Sequence, residues 1–154
     1  MITFPVGEST LSPLRREKTT IRYRDAQRRS TTGESVVLPR SHPATDIVLE
    51  LGPAPGDTVL AKTSMDTFAS TPLAEELHRR GVRTLVLGGV LTDACVESSA
   101  QPAAERGFQV SVAEDACAAW EEAFHAASLA SLSRDFARIA STRQILPGAR
   151  TSLD

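Results

Sequence analysis

The chain has 154 residues, which is enough for one domain with a hydrophobic core. Its 17 basic and 19 acidic residues leave a formal net charge of −2, which argues against a nucleic-acid partner. The sequence has no apolar run of about 18 residues and no signal-peptide pattern at its start, so we expect a cytoplasmic protein without a membrane partner. In that compartment Cys95 and Cys117 are expected to be free thiols.

The N-terminal part of the sequence has little periodicity. Residues 1–18 are expected to form a poorly ordered segment, and residues 19–154 to form a single α/β domain. Within the segment 19–24, Ile21 and Tyr23 alternate with arginines, which predicts an edge strand with one solvent-exposed face.

From about residue 45 onward, strand patterns alternate with helix patterns. Strands are predicted over 57–62, 84–87, 109–113 and 139–141, and helices within 71–81, 92–106 and 121–138. Strands joined by helices of this length indicate a parallel sheet with helices on both faces. We also expect Pro102 to kink or break its helix near residues 98–101, because proline removes one helical hydrogen bond.

Cys95 stands where a predicted strand gives way to a helix. The glycine-rich bend 88–91 follows strand 84–87, and Thr92 begins the helical pattern. The first amides of a helix have no intrahelical partner and carry the positive end of its dipole, so a sulfur held there is favoured as thiolate. The same amides can stabilise an oxyanion, so this position predicts a nucleophile for acyl transfer. A buried structural thiol is the ordinary alternative.

Lys62 is the last residue of a predicted strand, and Cys95 follows another. Ligands in open α/β sheets bind beyond the carboxyl ends of the strands, so the two side chains are expected to converge there. An ammonium beside the sulfur would favour the thiolate and could take part in proton transfer. The alternative for Lys62 is a solvated strand end. Cys117 has no comparable setting and is assigned to packing.

These residues resemble those of the isochorismatase-like cysteine hydrolases over about residues 45–146. The resemblance is carried by Pro55-Gly56-Asp57 with Lys62 and Phe68, by the string from Leu87 to Val96, by Val112 to Ala116, and by the helix containing His125. It implies a Rossmann-like fold, Cys95 as nucleophile with Lys62 beside it, and hydrolysis of an amide or related bond in a small molecule through a covalent intermediate. We expect no cofactor and no metal site, since the sequence lacks the Asp-x-His pair of the family's metal-binding branch.

The resemblance also implies details of the site. The Val90–Leu91 peptide is expected to be cis, with the amides of Leu91 and Cys95 forming an oxyanion hole. Val90 and Phe68 are candidates to line the substrate site. Phe68 and Trp120 are also candidates to line a small pocket, although core packing explains both equally well or better. His125 is interpreted as helix packing or a surface hydrogen bond. Members of the family are commonly oligomeric, so a homo-oligomer is expected.

The sequence departs from the family at its start. Members usually begin with a strand ending in Asp-x-Gln, whose aspartate is the general base. Here Asp25-Ala26-Gln27 follows the predicted strand 19–24, but Asp25 precedes Lys62 by only 37 positions, too few for the usual helix and second strand. Either Asp25 completes a shortened Cys-Lys-Asp set, or, as we favour, 19–24 is the second strand of an N-terminally shortened fold. Without a base, the chain would be a catalytically impaired member acting as a binding or interaction module.

Overall fold

The structure is a computed structural model that describes residues 2–5, 19–23, 47 and 51–146. Within these ranges six strands form one sheet: β1 Ile2–Pro5, β2 Thr19–Tyr23, β3 Thr58–Lys62, β4 Thr84–Val90, β5 Gln109–Ala118 and β6 Arg138–Ala140. The α-helices are α1 Thr67–Ser70, α2 Leu73–Arg79, α3 Glu97–Glu105, α4 Glu122–Asp135 and α5 Thr142–Ile145. A π-helical turn, Thr92–Val96, joins β4 to α3.

The strands lie in the order β3-β2-β1-β4-β5-β6. The pairs β2–β3, β4–β5 and β5–β6 are parallel, and helices connect the strands from β3 onward, which confirms the predicted α/β fold. The carboxyl ends of β3 and β4, at Lys62 and Val90, therefore lie at the same end of the sheet, which we call its carboxyl edge.

The first strand was not predicted. Ile2–Pro5 lies between β2 and β4 and is antiparallel to both. Its presence places β2 inside the sheet, between β3 and β1, so the prediction of an edge strand at 19–24 is wrong. The alternation of Ile21 and Tyr23 with arginines was a misleading signal, because it predicts a half-exposed strand but not which neighbours the strand pairs with.

The hydrophobic core lies between the sheet and its helices. Strand β4 is almost wholly buried over Leu85–Gly88, as expected for a central strand covered on both faces. Burying each such leucine or valine contributes about 1.5–3 kcal/mol. The core also includes Leu73, Leu77, Val96, Ala100, Ala103, Phe108, Val110, Val112 and Leu132.

Helix α3 does not break at its proline. It runs without interruption from Glu97 to Glu105, with Pro102 inside it. The expected break near residues 98–101 is therefore wrong, and the irregular backbone lies one turn earlier, in the π-helical segment. None of the helices in the described part of the chain is long and apolar enough to cross a bilayer.

Candidate active site

Lys62 is the most deeply buried charged residue of the site. It ends β3 and is only 1% exposed. Its Nζ donates to the carbonyl oxygens of Ser64 at 2.7 Å and Met65 at 3.0 Å, and lies 3.2 Å from Sγ of Cys95. The ammonium is thus held by the backbone that follows its own strand and directed at the sulfur.

The segment that follows Lys62 is fixed by a second set of hydrogen bonds. Asp66 caps α1 by accepting from the backbone N–H of Phe68 at 2.8 Å. The buried hydroxyl of Ser99, on α3, accepts from the N–H of Thr67 at 3.1 Å and donates to the Met65 carbonyl at 3.3 Å. Helix α3 therefore binds the Met65 carbonyl, which also accepts a hydrogen bond from the Lys62 ammonium.

Cys95 lies in the π-helical turn between β4 and α3 and is 7% exposed. The carbonyl of Leu91 accepts from the N–H groups of Ala94 and Val96, both at 3.2 Å, which closes the turn around the cysteine. The structure thus brings Lys62 and Cys95 together at the carboxyl edge of the sheet, with the sulfur in the first helical turn after a strand.

The backbone that leads from β4 into the π-helical turn is irregular at two places. The Val90–Leu91 peptide is cis, as the family resemblance implies. The register between β4 and β5 shifts between Leu87 and Gly89. At Gly88 a Cβ atom would meet Ala116 of the neighbouring strand, with its carbonyl oxygen at 3.3 Å, so glycine permits this close approach.

Burial dominates the electrostatics of Lys62. Loss of water lowers the pKa of its ammonium below the ordinary value, while the charge and hydrogen bond of Cys95 and the carboxylate of Asp66 act in the opposite direction. Burial also raises the pKa of the Cys117 thiol, which sits opposite Gly89 in the strand pair. The two thiols therefore have different surroundings: an ammonium lies beside Cys95, whereas Cys117 is mainly affected by loss of solvent.

Helix α4 makes two polar contacts with the turn region; a hydrogen bond of His125 was one of its two predicted roles, but neither contact's partner was identified from the sequence. Nδ1 of His125 lies 2.8 Å from Oγ1 of Thr92, the first and fully buried residue of the turn. One helical turn later, the hydroxyl of Ser128 donates to the carboxylate of Glu97. The available signals were the 3-residue spacing of two polar side chains on one helix face and the family resemblance of the helix containing His125.

The remaining predicted residues are distributed as follows. Phe68 lies in the core, with its ring 6.1 Å from that of Phe108. Val90 is 61% exposed at the carboxyl edge of the sheet. Trp120 is 85% exposed, so core packing is wrong for it. Asp25 lies outside the described residues.

The described residues contain no group of three or more histidine, cysteine, aspartate or glutamate side chains able to hold a metal ion. Among the described residues, His125 contacts Thr92, and the carboxylate of Asp66 acts electrostatically on Lys62. The described part of the site therefore combines a thiol, an ammonium and a nearby carboxylate.

Comparison with known proteins places the chain among relatives of one family. The chain is 38% identical over 113 residues to an uncharacterized isochorismatase family protein, YecD, of Escherichia coli O157:H7, covering 71% of this chain and 57% of that protein. It is 38% identical over 91 residues to the ureidoacrylate amidohydrolase RutB of Methylobacterium radiotolerans, covering 58% of this chain and 35% of that protein. The chain thus spans between about a third and just over half the length of these curated relatives.

The fold is also similar to that of solved structures. An isochorismatase-like hydrolase from Alkaliphilus metalliredigens superposes with a TM-score of 0.73 at 26% identity, over 82% of this chain and 68% of that one. The sequence model of the isochorismatase domain family matches residues 15–144, which include β2 and all elements from β3 to β6. The chain therefore belongs to the isochorismatase family.

Proposed function

We propose that the protein is a cytoplasmic, cysteine-dependent hydrolase that cleaves a C–N amide or related bond in a small molecule. Cys95 is the nucleophile, Lys62 is its charge partner, and the amides of Leu91 and Cys95 receive the oxyanion. Val90 and Phe68 are the candidates to line the substrate site. No cofactor takes part in this scheme.

The proposal depends on one observation, the 3.2 Å separation of Lys62 Nζ and Cys95 Sγ in a site where both residues are buried. An ammonium this close stabilises a thiolate far more strongly in a buried site than it would in water. Ordinary buried cysteines pack against apolar groups and have no such partner. The contact therefore favours a reactive sulfur over a structural one.

The surroundings of the sulfur match the steps of acyl transfer. The thiolate attacks the carbonyl carbon, a C–S bond forms, and the carbonyl oxygen becomes an oxyanion facing the amides at the start of the turn. Collapse of this intermediate breaks the C–N bond, and the Lys62 ammonium gives a proton to the leaving nitrogen. Water then attacks the thioester: a C–O bond forms, the C–S bond breaks to restore the thiolate, and one proton of the water returns to the Lys62 amine as the acid is released.

The relatives support amide-type chemistry. One is a ureidoacrylate amidohydrolase and another, 36% identical over 81 residues, is Nicotinamidase 3 of Arabidopsis thaliana. Both names describe hydrolysis of a C–N bond in a small molecule. Because the chain spans less than half of either relative, we carry over the bond class alone.

The proposal is tested by the reactivity of the sulfur. Iodoacetamide should alkylate Cys95 at pH 7 at least about 10-fold faster than Cys117, and Lys62→Met should remove about 10-fold or more of that rate by withdrawing the opposite charge. Peptide mass spectrometry separates the two thiols. Equal rates at Cys95 and Cys117 would show that Cys95 is not activated.

A second candidate function is a binding module that has lost turnover, and the position of β1 favours it. Family members usually carry their general base at the end of the first strand, but here β1 is antiparallel to β4. Its carboxyl end, Pro5, pairs with Leu85 and so lies toward the edge of the sheet opposite to Val90. The sequence Ile2–Pro5 contains no carboxylate.

Asp25 is the alternative source of a base. Strand β2 ends at Tyr23, which lies in register with Lys62 on the adjacent parallel strand, and Asp25 follows two residues later in the sequence. We therefore propose Asp25, although it is outside the described residues, as the group that activates the hydrolytic water. Asp66 is the competing carboxylate because it acts electrostatically on Lys62.

Turnover of p-nitrophenyl acetate discriminates between the two functions. A hydrolase releases p-nitrophenolate continuously, whereas a chain without a base releases about one equivalent and stays acylated at Cys95. Asp25→Asn should convert the first behaviour into the second, with a loss of 10²- to 10⁴-fold in deacylation. Asp66→Asn, which preserves the helix cap, tests the competing carboxylate: it should leave deacylation unchanged if Asp25 is the base and slow it if Asp66 is.

A further inference from the structure

We propose that His125 is a positioning residue, which holds the oxyanion-binding turn in place through the side chain of Thr92. This inference deepens the proposed function and rests on it. It assigns to helix α4 a role in the reaction that is separate from core packing.

The contact between His125 and Thr92 lies next to a proposed oxyanion donor. Thr92 is the first residue of the π-helical turn, fully buried, and directly follows Leu91, whose amide is one of the proposed oxyanion donors. Its hydroxyl lies 2.8 Å from Nδ1 of His125. The carbonyl of Leu91 is bound on its other side by the N–H groups of Ala94 and Val96. His125 thus holds the side chain of Thr92, next to the Leu91–Thr92 peptide whose carbonyl the turn itself binds.

The second contact of α4 offers a natural comparison. Ser128 binds the carboxylate of Glu97, at the first residue of α3, and so ties α4 to the helix beyond the turn. Loss of either contact should weaken the packing of α4. Only loss of the His125 contact should move the Leu91 amide, because Glu97 keeps its own backbone N–H bonds to the carbonyls of Thr92 and Ala94 when the Ser128 contact is lost.

Two reagents separate this role from simple structural support. Acylation of Cys95 by p-nitrophenyl acetate forms the C–S bond together with an oxyanion, and p-nitrophenolate leaves when this intermediate collapses. Alkylation by iodoacetamide displaces iodide from a saturated carbon and forms no oxyanion. The ratio of the two second-order rate constants at Cys95 therefore reports oxyanion stabilisation, independent of how much thiolate is present.

The variants His125→Leu and Thr92→Val should each lower this ratio about 10-fold, less than the 10²- to 10³-fold cost of deleting an oxyanion donor. The double variant should lower it no further, because both changes remove one contact. His125→Asn, which keeps a polar atom near the position of Nδ1, should restore most of the ratio. Thr92→Val is nearly isosteric and keeps the test available if His125→Leu does not fold.

Ser128→Ala is the control and should leave the ratio unchanged while lowering stability. An unchanged ratio in His125→Leu and Thr92→Val, or an equal fall in Ser128→Ala, would overturn the positioning role. Failure of the proposed function itself gives a different result, since Cys95 of the unmodified protein would then react with iodoacetamide no faster than Cys117.

Discussion

Oγ of Ser99 lies 3.3 Å from the carbonyl oxygen of Met65, and this carbonyl also accepts from the Lys62 ammonium at 3.0 Å. Replacing Ser99 by alanine should lower the free energy of unfolding by about 1–3 kcal/mol, because the N–H of Thr67 would lose its acceptor in a buried site. Urea unfolding followed by circular dichroism measures this change. Ser133→Ala, at an exposed serine bound only to Ala130 of its own helix, should change stability by less than about 0.5 kcal/mol.

The buried ammonium of Lys62 should make stability depend on pH. Desolvation lowers its folded-state pKa below the ordinary 10.5, so between these two values the unfolded chain binds more protons than the folded protein. The contribution of Lys62 to stability therefore rises with pH across that window and is constant below it. We therefore expect the free energy of unfolding of the variant Cys95→Ser to increase, relative to that of the double variant Cys95→Ser/Lys62→Met, as the pH approaches 10.5. The increase should be at most about 1.4 kcal/mol per pH unit.

The Cys95→Ser background keeps titration of the thiol out of the comparison and removes the sulfur that raises the pKa of Lys62. The window should consequently be wider than in the unmodified protein. A stability difference that stays constant up to pH 10.5 would mean that Lys62 retains its ordinary pKa in the fold.

Much of the fold and the meeting of Lys62 with Cys95 could be predicted because local patterns encode them. Lys62 closes a five-residue strand, and Cys95 follows a glycine-rich bend, so both fall at the carboxyl ends of parallel strands. Parallel topology then brings those ends to one edge of the sheet. No long-range information beyond the α/β alternation was needed.

The parts that were missed depend on contacts distant in sequence. Ile2–Pro5 is only four residues long, and its pairing with β4 joins residues at least 80 positions apart. The exposed position of Trp120 reflects where β5 ends, which is at Ala118 rather than near Ala113 as predicted. The His125 contact depends on how α4 packs on the turn, which the helical periodicity alone does not specify.

Exposed apolar side chains at the carboxyl edge of the sheet support a homo-oligomer. Val90 pairs with Ala118 in the sheet, Trp120 follows two residues later, and Phe124 lies in the first turn of α4; all three apolar side chains are at least half exposed. We expect light scattering to give a mass above that of one chain, and Trp120→Ser to reduce it, because aromatic side chains contribute strongly to interfaces. Leu51→Ser, at another exposed apolar residue, is the control. A single-chain mass for the unmodified protein would exclude this oligomer.

Asp115 connects the end of β5 to the start of α5. Its carboxylate accepts hydrogen bonds from the backbone N–H and the hydroxyl of Thr142, both at 2.7 Å. These bonds lower the pKa of Asp115 below the ordinary 3.8, and the bond from the hydroxyl has the larger effect. Such a group stabilises the fold above pH 3.8 and loses that contribution as the pH falls through its lowered folded-state value. Asp115→Asn should therefore lower the free energy of unfolding by up to about 1 kcal/mol at pH 7, a small value because the site is exposed, and by almost nothing at the acid end.

Chemical denaturation at pH 7 and in acid measures the difference, and Glu114→Gln, at the neighbouring exposed carboxylate, should show no comparable change. An Asp115→Asn effect of equal size at both pH values would assign the loss to altered packing of α5 instead of the charge.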